Sequence, residues 1–182
     1  MAESEKVARF KTLVMPHLNA AFNLACWLTR NPQNAEDVVQ EACLRAFKFF
    51  DSLRGEDARS WLLAIVRNTF NTWYQETHHE RQSMLFDEEL HSAQLIDSEF
   101  SALHASNPES VLIQKDSDRQ LRQAMTALPL EFREVMVLRE LEDLSYKQIS
   151  TIVGIPIGTV MSRLGRGRRL LAEILAANNP EA

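Results

Sequence analysis

The sequence predicts an all-α protein built as two small helical domains joined by a flexible acidic linker. Three observations carry that prediction. Apolar residues recur at three- and four-residue spacing over long stretches, and no strand-like alternation persists. Only 5 glycines and 6 prolines punctuate the 182 residues. Charge is partitioned along the chain: residues 1–86 carry ten basic and ten acidic side chains, residues 87–118 one and eight, and residues 119–182 nine and seven. The middle tract also loses its periodicity, so the expected division is a first domain over 1–80, a linker over 81–107 and a second domain over 108–182.

Each element has its own signal. A first helical stretch is expected over about 4–29, broken or kinked at Pro16. A second runs over about 35–50, with Asn34 as N-cap and Glu36 and Asp37 in the first turn, where the helix dipole favours negative charge. The turn Asp51 to Gly55 leads to a third helix near 58–77, and a short helical piece is expected around Phe86 to Leu90. Asn107-Pro108-Glu109 is a helix start, because proline at the first helical position gives up only an N–H that had no partner. That helix ends before Pro129, and three more follow at about 131–141, 146–153 and 159–177.

Composition excludes several classes. No apolar run approaches the roughly 20 residues that cross a bilayer, so no membrane insertion is expected. The opening MAESEKVARF lacks a basic region followed by an apolar stretch, which points to a cytoplasmic protein. Cys26 and Cys43 form no disulfide framework and read as buried small hydrophobes, with a thiol switch as the alternative. There is no phosphate loop, nucleophile elbow or His-Glu-x-x-His helix, so the chain is not expected to be an enzyme and needs no cofactor. His78-His79 is the one histidine pair, and its spacing to the cysteines matches no zinc pattern.

The second domain carries a helix-turn-helix. Ser145 and Gln148 fit a capping box, Ile149, Ile152 and Val153 form an apolar face, and Gly154 with Pro156 stops the helix. Gly158-Thr159 then opens the last helix, with Thr159 as its N-cap. On that helix Ile157, Val160, Leu164, Leu171 and Ile174 form one stripe. Ser162, Gly165, Arg166 and Arg169 lie opposite, flanked by Met161, Arg163 and Arg168. A helix in the major groove needs this layout, with base-reading groups outward and cations toward phosphates. The net charge of −5 excludes indiscriminate coating of nucleic acid, but local charge decides where a phosphate backbone docks.

The first domain shows two further faces. On the second helix Val38, Val39, Ala42, Ala46 and Phe49 point inward. Asp37, Gln40, Glu41 and Lys48 point outward, with Leu44 and Phe47 among or beside them, and large apolar residues inside a polar face suggest a partner surface. On the third helix Leu62, Ile65, Val66, Thr69 and Trp73 face the core. Asn68, Asn71 and Gln75 lie outward, with Trp61 at the edge and Arg67 nearby. Amides read base edges and aromatic rings stack on unpaired bases, so this face suits single-stranded DNA, though an ordinary polar surface has the same periodicity.

Here the residues become recognisable. DVVQEACLRAF (Asp37–Phe47), DSLRG (Asp51–Gly55) and WLLAIVRNTF (Trp61–Phe70) resemble region 2 of bacterial sigma factors. The segment ALPLEFREVMVLRELEDLSYKQISTIVGIPIGTVMSRLGRGRRLL (Ala127–Leu171) resembles region 4. With only a linker between them, the chain is similar to the extracytoplasmic-function group.

That resemblance implies three interfaces. Asp37, Gln40, Glu41, Leu44, Arg45 and Lys48 would contact core RNA polymerase. Leu53, Arg54, Arg59, Trp61, Arg67, Asn68 and Asn71 would capture the −10 element as single strand, around a base flipped out of the stack. Thr159, Met161, Ser162, Arg163, Arg166 and Arg169 would dock the −35 element as duplex. It also implies an anti-sigma factor as partner. Two positions depart from the family. Gln75 to Gln82 reads QETHHERQ where a basic run is common, and Met161 stands where a basic residue is frequent. A conventional helix-turn-helix regulator binding duplex operators, and a protein-sequestering module, are the competing readings.

Overall fold

The computed structural model describes residues 3–55, 57–83 and 111–178, and among these there is no strand. The first three residues of the predicted linker, 81–83, belong to a helix that continues from the first domain; the rest of the linker, the helical piece near 86–90 and the Asn107-Pro108-Glu109 start lie outside the described residues.

Helix α1 (Glu3–Leu13) ends just before Pro16, which sits in a 3₁₀ turn (Met15–His17), and α2 (Leu18–Thr29) follows directly. Arg30, left-handed at φ 57°, stops α2 and donates its N–H to the Cys26 carbonyl at 2.9 Å. Helix α3 (Pro32–Lys48) starts three residues earlier than expected. Its cap is Asn31, not Asn34: the Asn31 side chain accepts from the Asn34 N–H at 3.2 Å, and Pro32 takes the first helical position. Helix α4 (Ala58–Ser83) runs past the expected end at 77.

The inward set of α3 holds for Val38, Ala42 and Ala46, with Val39 half-buried, but Phe49 is 54% exposed. Helix α3 ends at Lys48, so a 3₁₀ turn (Phe50–Ser52) redirects the chain and buries Phe50 in its place. Phe10 then lies edge-on to Phe47 and Phe50, with centroids 5.3 and 5.4 Å apart. On α4 the buried residues are Leu62, Leu63, Val66, Thr69 and Phe70, while Ile65 and Trp73 are half-buried. Cys26 is buried and Cys43 half-buried. Burial pushes the Cys43 thiol up, away from the thiolate a reactive cysteine needs.

In the second half, α5 (Val111–Ala127) ends before Pro129 as expected. Arg133, buried on the next helix, donates to the carbonyls of Thr126 and Leu128 at 3.0 and 2.9 Å and so satisfies the end of α5. Burial, with Arg30 nearby, pulls its guanidinium down to about 10, still charged at neutral pH. Helix α6 (Leu130–Met136) passes into a π-helical turn (Val137–Leu141) closed by the Glu142 N–H on the Val137 carbonyl at 3.1 Å. Helices α7 (Tyr146–Val153) and α8 (Ile157–Asn178) complete the fold.

The two halves do not stand apart. Helix α2 packs on α6, α4 packs on α7, and the buried side chains of both halves form one continuous hydrophobic cluster.

Candidate polymerase and nucleic-acid interfaces

The outward face of α3 assembles as a unit. Asp37, Gln40, Glu41 and Lys48 are exposed, and Leu44 stands among them at 69% exposure. Arg45 is half-buried and bonds Glu41 one turn back at 2.7 Å. The Lys48 ammonium sits 5.5 Å from the centre of the Phe49 ring, so the misplaced phenylalanine extends this face rather than the core. An exposed leucine and phenylalanine rimmed by charge make a surface suited to protein contact.

The second predicted face is divided. Arg54 and Asn68 are exposed, Leu53, Trp61 and Asn71 are half-buried, and Trp61 leans edge-on to Phe50 at 6.5 Å. The two arginines beside them are engaged. Arg59 donates to Glu142 at 2.5 Å and Arg67 to Glu134 at 3.2 Å, both carboxylates of the second half.

The helix-turn-helix forms as its sequence requires. The Gln148 N–H donates to the Ser145 hydroxyl at 3.2 Å, and the Ser145 N–H donates to the Gln148 amide oxygen at 2.9 Å. Gly154, left-handed at φ 74°, ends α7. Helix α8 begins at Ile157, two residues before the expected cap. Thr159 therefore lies inside the first turn, its N–H donating to the Pro156 carbonyl at 2.9 Å. Pro156, with φ already near helical values, starts the turn that Thr159 was expected to start.

For the same reason Ile157 is 44% exposed and leaves the apolar stripe, while Val160 and Leu164 are buried, and Leu171 and Ile174 half-buried. Gly167 takes a place in that stripe: it is buried, and a Cβ there would come within 3.1 Å of Met136.

Outward on α8 stand Met161, Ser162, Gly165, Arg166 and Arg169, all exposed, with Thr159 half-buried. The arginine cluster is not uniform. Arg163 is half-buried and reaches Glu134 at 3.5 Å and Glu131 at 3.6 Å, and Arg168 bonds Glu140 at 2.7 Å. Among the described residues no group of three or more His, Cys, Asp and Glu is placed to hold a metal ion, and no helix is long and apolar enough to cross a membrane. The side chains of His78 and His79 lie outside the described set.

Comparison with known proteins bears on both halves. The sigma-70 region 2 family matches residues 13–78, and the sigma-70 region 4 family matches residues 118–171. The ECF RNA polymerase sigma-E factor of Escherichia coli K12 is 33% identical over 136 residues, which are 74% of this chain and 70% of that protein. The chain belongs to the ECF sigma factors.

The ECF sigma factor SigE of Mycolicibacterium smegmatis is 31% identical over 93% of this chain, which spans only 62% of SigE's length. Among solved structures, the sigma factor RpoE of Bartonella quintana, in complex with the anti-sigma factor NepR, is similar to this chain. It gives a TM-score of 0.72 at 28% identity and covers 92% of this chain and 96% of its own. CnrH, in complex with the cytosolic domain of CnrY, shares the fold at a TM-score of 0.59 and 23% identity, over 92% of this chain and 88% of its own.

In this sigma factor what sequence reasoning missed is the contacts that join the halves. Glu142, 6% exposed, accepts from Asn23 of α2 at 2.6 Å as well as from Arg59. Gln148 donates to Asp57 at 2.9 Å and to the Ser60 hydroxyl at 3.2 Å. Burial raises the Asp57 carboxyl, but hydrogen bonds from Ser60 and Gln148, with the charge of Arg59, together outweigh it and leave the group below its ordinary value. Burial lifts the Glu134 carboxyl despite Arg67 and Arg163 beside it. No spacing rule in the sequence pairs positions 67 with 134 or 59 with 142.

Proposed function

We propose that this sigma factor binds core RNA polymerase through the outer face of α3 and directs initiation at promoters defined by −10 and −35 elements. The observation that carries the reading is the outward faces of α3 and α8, with Leu44 exposed among charged residues on the first and Arg166 and Arg169 exposed on the second, while the exposed Arg54 and Asn68 flank the half-buried Trp61 and Asn71. Catalysis belongs to the polymerase, and the chain supplies selectivity.

The division of labour follows the chemistry. Duplex DNA presents its donor and acceptor code in the major groove, which admits a helix, so α8 reads the −35 element with Ser162, Arg163, Arg166 and Arg169. A melted strand presents unstacked bases, which Trp61, Asn68 and Asn71 receive while Arg54, Arg59 and Arg67 hold phosphate. Residues 1–80 then form the unit that binds polymerase and the −10 strand, 81–107 the connection, and 108–182 the −35 unit. Met161 contributes apolar surface rather than a phosphate contact.

The protein works in the cytoplasm, where its polymerase is. An anti-sigma factor restrains it, a reading supported by the likeness to RpoE, which is similar over most of its length and was solved with NepR. Reconstituted transcription with bacterial core enzyme on promoters from the source genome tests this function. Specific initiation only when the protein is added is the expected outcome. Binding of duplex DNA by the protein alone, with no association with core enzyme, would replace it with a conventional regulator.

A further inference from the structure

We propose that Glu142, seconded by Glu134, is an internal latch that occupies DNA-binding cations from both halves and keeps the free sigma factor closed. The inference rests on the assignment of Arg59 and Arg67 to the −10 strand and of Arg163 to the −35 element.

The geometry is specific. Glu142 sits where the π-helical turn ends, and its own N–H closes that turn on Val137. The turn thus fixes the carboxylate between α2 and α4, where its two oxygens are divided between Asn23 at 2.6 Å and Arg59 at 2.5 Å. Eight residues earlier, on α6, Glu134 takes Arg67 of the first half and Arg163 of the recognition helix together. Both carboxylate side chains are only 7% exposed, whereas the arginines keep 20% to 33% exposure. The cations are those a phosphate backbone would engage, and two carboxylates hold them in its place. Gln148, from the first helix of the helix-turn-helix, closes the same seam on Asp57 and Ser60 at the start of α4.

A single-stranded −10 element therefore competes with Glu142 for Arg59 and with Glu134 for Arg67. A protein whose competent state is a minor fraction binds with affinity reduced by that fraction, and removing the restraint restores it. Glu140 and Asp143, acidic and nearby in sequence, do not serve: Glu140 pairs with Arg168 and Asp143 lies 3.9 Å from Arg139, all within the second half.

The test uses the full chain with a donor and an acceptor fluorophore on cysteines placed at Lys11 and Glu173, exposed positions of the two halves, with Cys43→Ser to remove the half-buried thiol. Glu142→Gln keeps the shape and removes the charge, and Asp143→Asn removes the same charge from an exposed neighbour. Glu142→Gln should lower energy transfer and tighten binding of a mixed-sequence single-stranded oligonucleotide about tenfold. Asp143→Asn should change neither.

Unchanged transfer in Glu142→Gln overturns the latch whatever the oligonucleotide does. Lowered transfer without tighter binding overturns the masking of Arg59 and Arg67, and with it their assignment to the −10 strand, while leaving the contact between halves intact. If Glu142→Gln loses its helical circular dichroism, Arg59→Gln breaks the same bond from the other side. Transfer must then fall in that variant, or the latch is rejected.

Discussion

Gly165 and Gly167 lie two residues apart on α8, and alanine at the two positions should have different consequences. At Gly165 a new Cβ would meet nothing within 4 Å, so Gly165→Ala gains only the helix propensity that glycine forfeits, about 1 kcal/mol. For a chain of this size that corresponds to roughly 2–4 °C in Tm. At Gly167 the same propensity gain is opposed. The Cβ would lie 3.1 Å from Met136 Cγ, 3.4 Å from its sulfur and 3.4 Å from Phe132 Cβ, so the Met136 side chain must give by a few tenths of an ångström. Gly167→Ala should therefore raise Tm less than Gly165→Ala, or lower it. Function should run the other way at Gly165. That position lies beside Arg166 on the outward side of α8, where a helix backbone approaches base edges most closely, so the stabilised variant should lose −35 affinity. Thermal unfolding followed by circular dichroism and titration of −35 duplex measure the two effects. Equal Tm shifts at both glycines would refute the packing argument, and full −35 affinity in Gly165→Ala would refute the close approach.

Other expectations are open to direct measurement. Arg166→Ala should weaken selection of the −35 element while core polymerase still binds, and promoter competition in reconstituted transcription checks it; unaltered preference would remove Arg166 from the readout. Gln40→Ala with Leu44→Asp changes only exposed side chains of α3, so polymerase pull-down should fail while the melting curve stays in place. Glu134 titrates above its ordinary value because it is buried, so the folded chain holds that proton more tightly than the unfolded one. Its contribution to stability should therefore grow as pH falls from neutral through its folded pKa, levelling off below the ordinary carboxylate range. The difference in unfolding free energy between the parent and Glu134→Gln should rise over that interval, and a flat difference in denaturant melts would contradict the assignment.

Much of this protein was legible before any fold was known, because the informative signals are local. A capping box needs only residues three apart, so Ser145 and Gln148 announced α7 and the structure placed both hydrogen bonds. Helical periodicity sorted the outward residues of α3 and α8 because the angle between successive side chains is set within one turn. The same locality explains the errors. Asn31 and Asn34 are equally good caps in isolation, and the choice fell to Asn31 because Pro32 prefers the first helical position. Phe49 looked inward by extrapolating α3 one residue past its end, where the 3₁₀ turn gave the buried place to Phe50. Thr159 looked like a cap because the start made at Pro156 is set by backbone dihedrals rather than by a side chain.

What the sequence by itself determined was the helical class, the helix-turn-helix and the family. Each is written in the spacing of neighbouring residues and in motifs short enough to read without contacts. Only tertiary structure decided which of the predicted DNA-binding arginines face solvent. Arg54, Arg166 and Arg169 do, while Arg59, Arg67 and Arg163 meet carboxylates 83, 67 and 29 positions away. The physical reason is that an ion pair depends on distance in space. Two halves that bury one continuous apolar cluster bring Glu134 and Glu142 to cations that sequence separation alone could never pair with them.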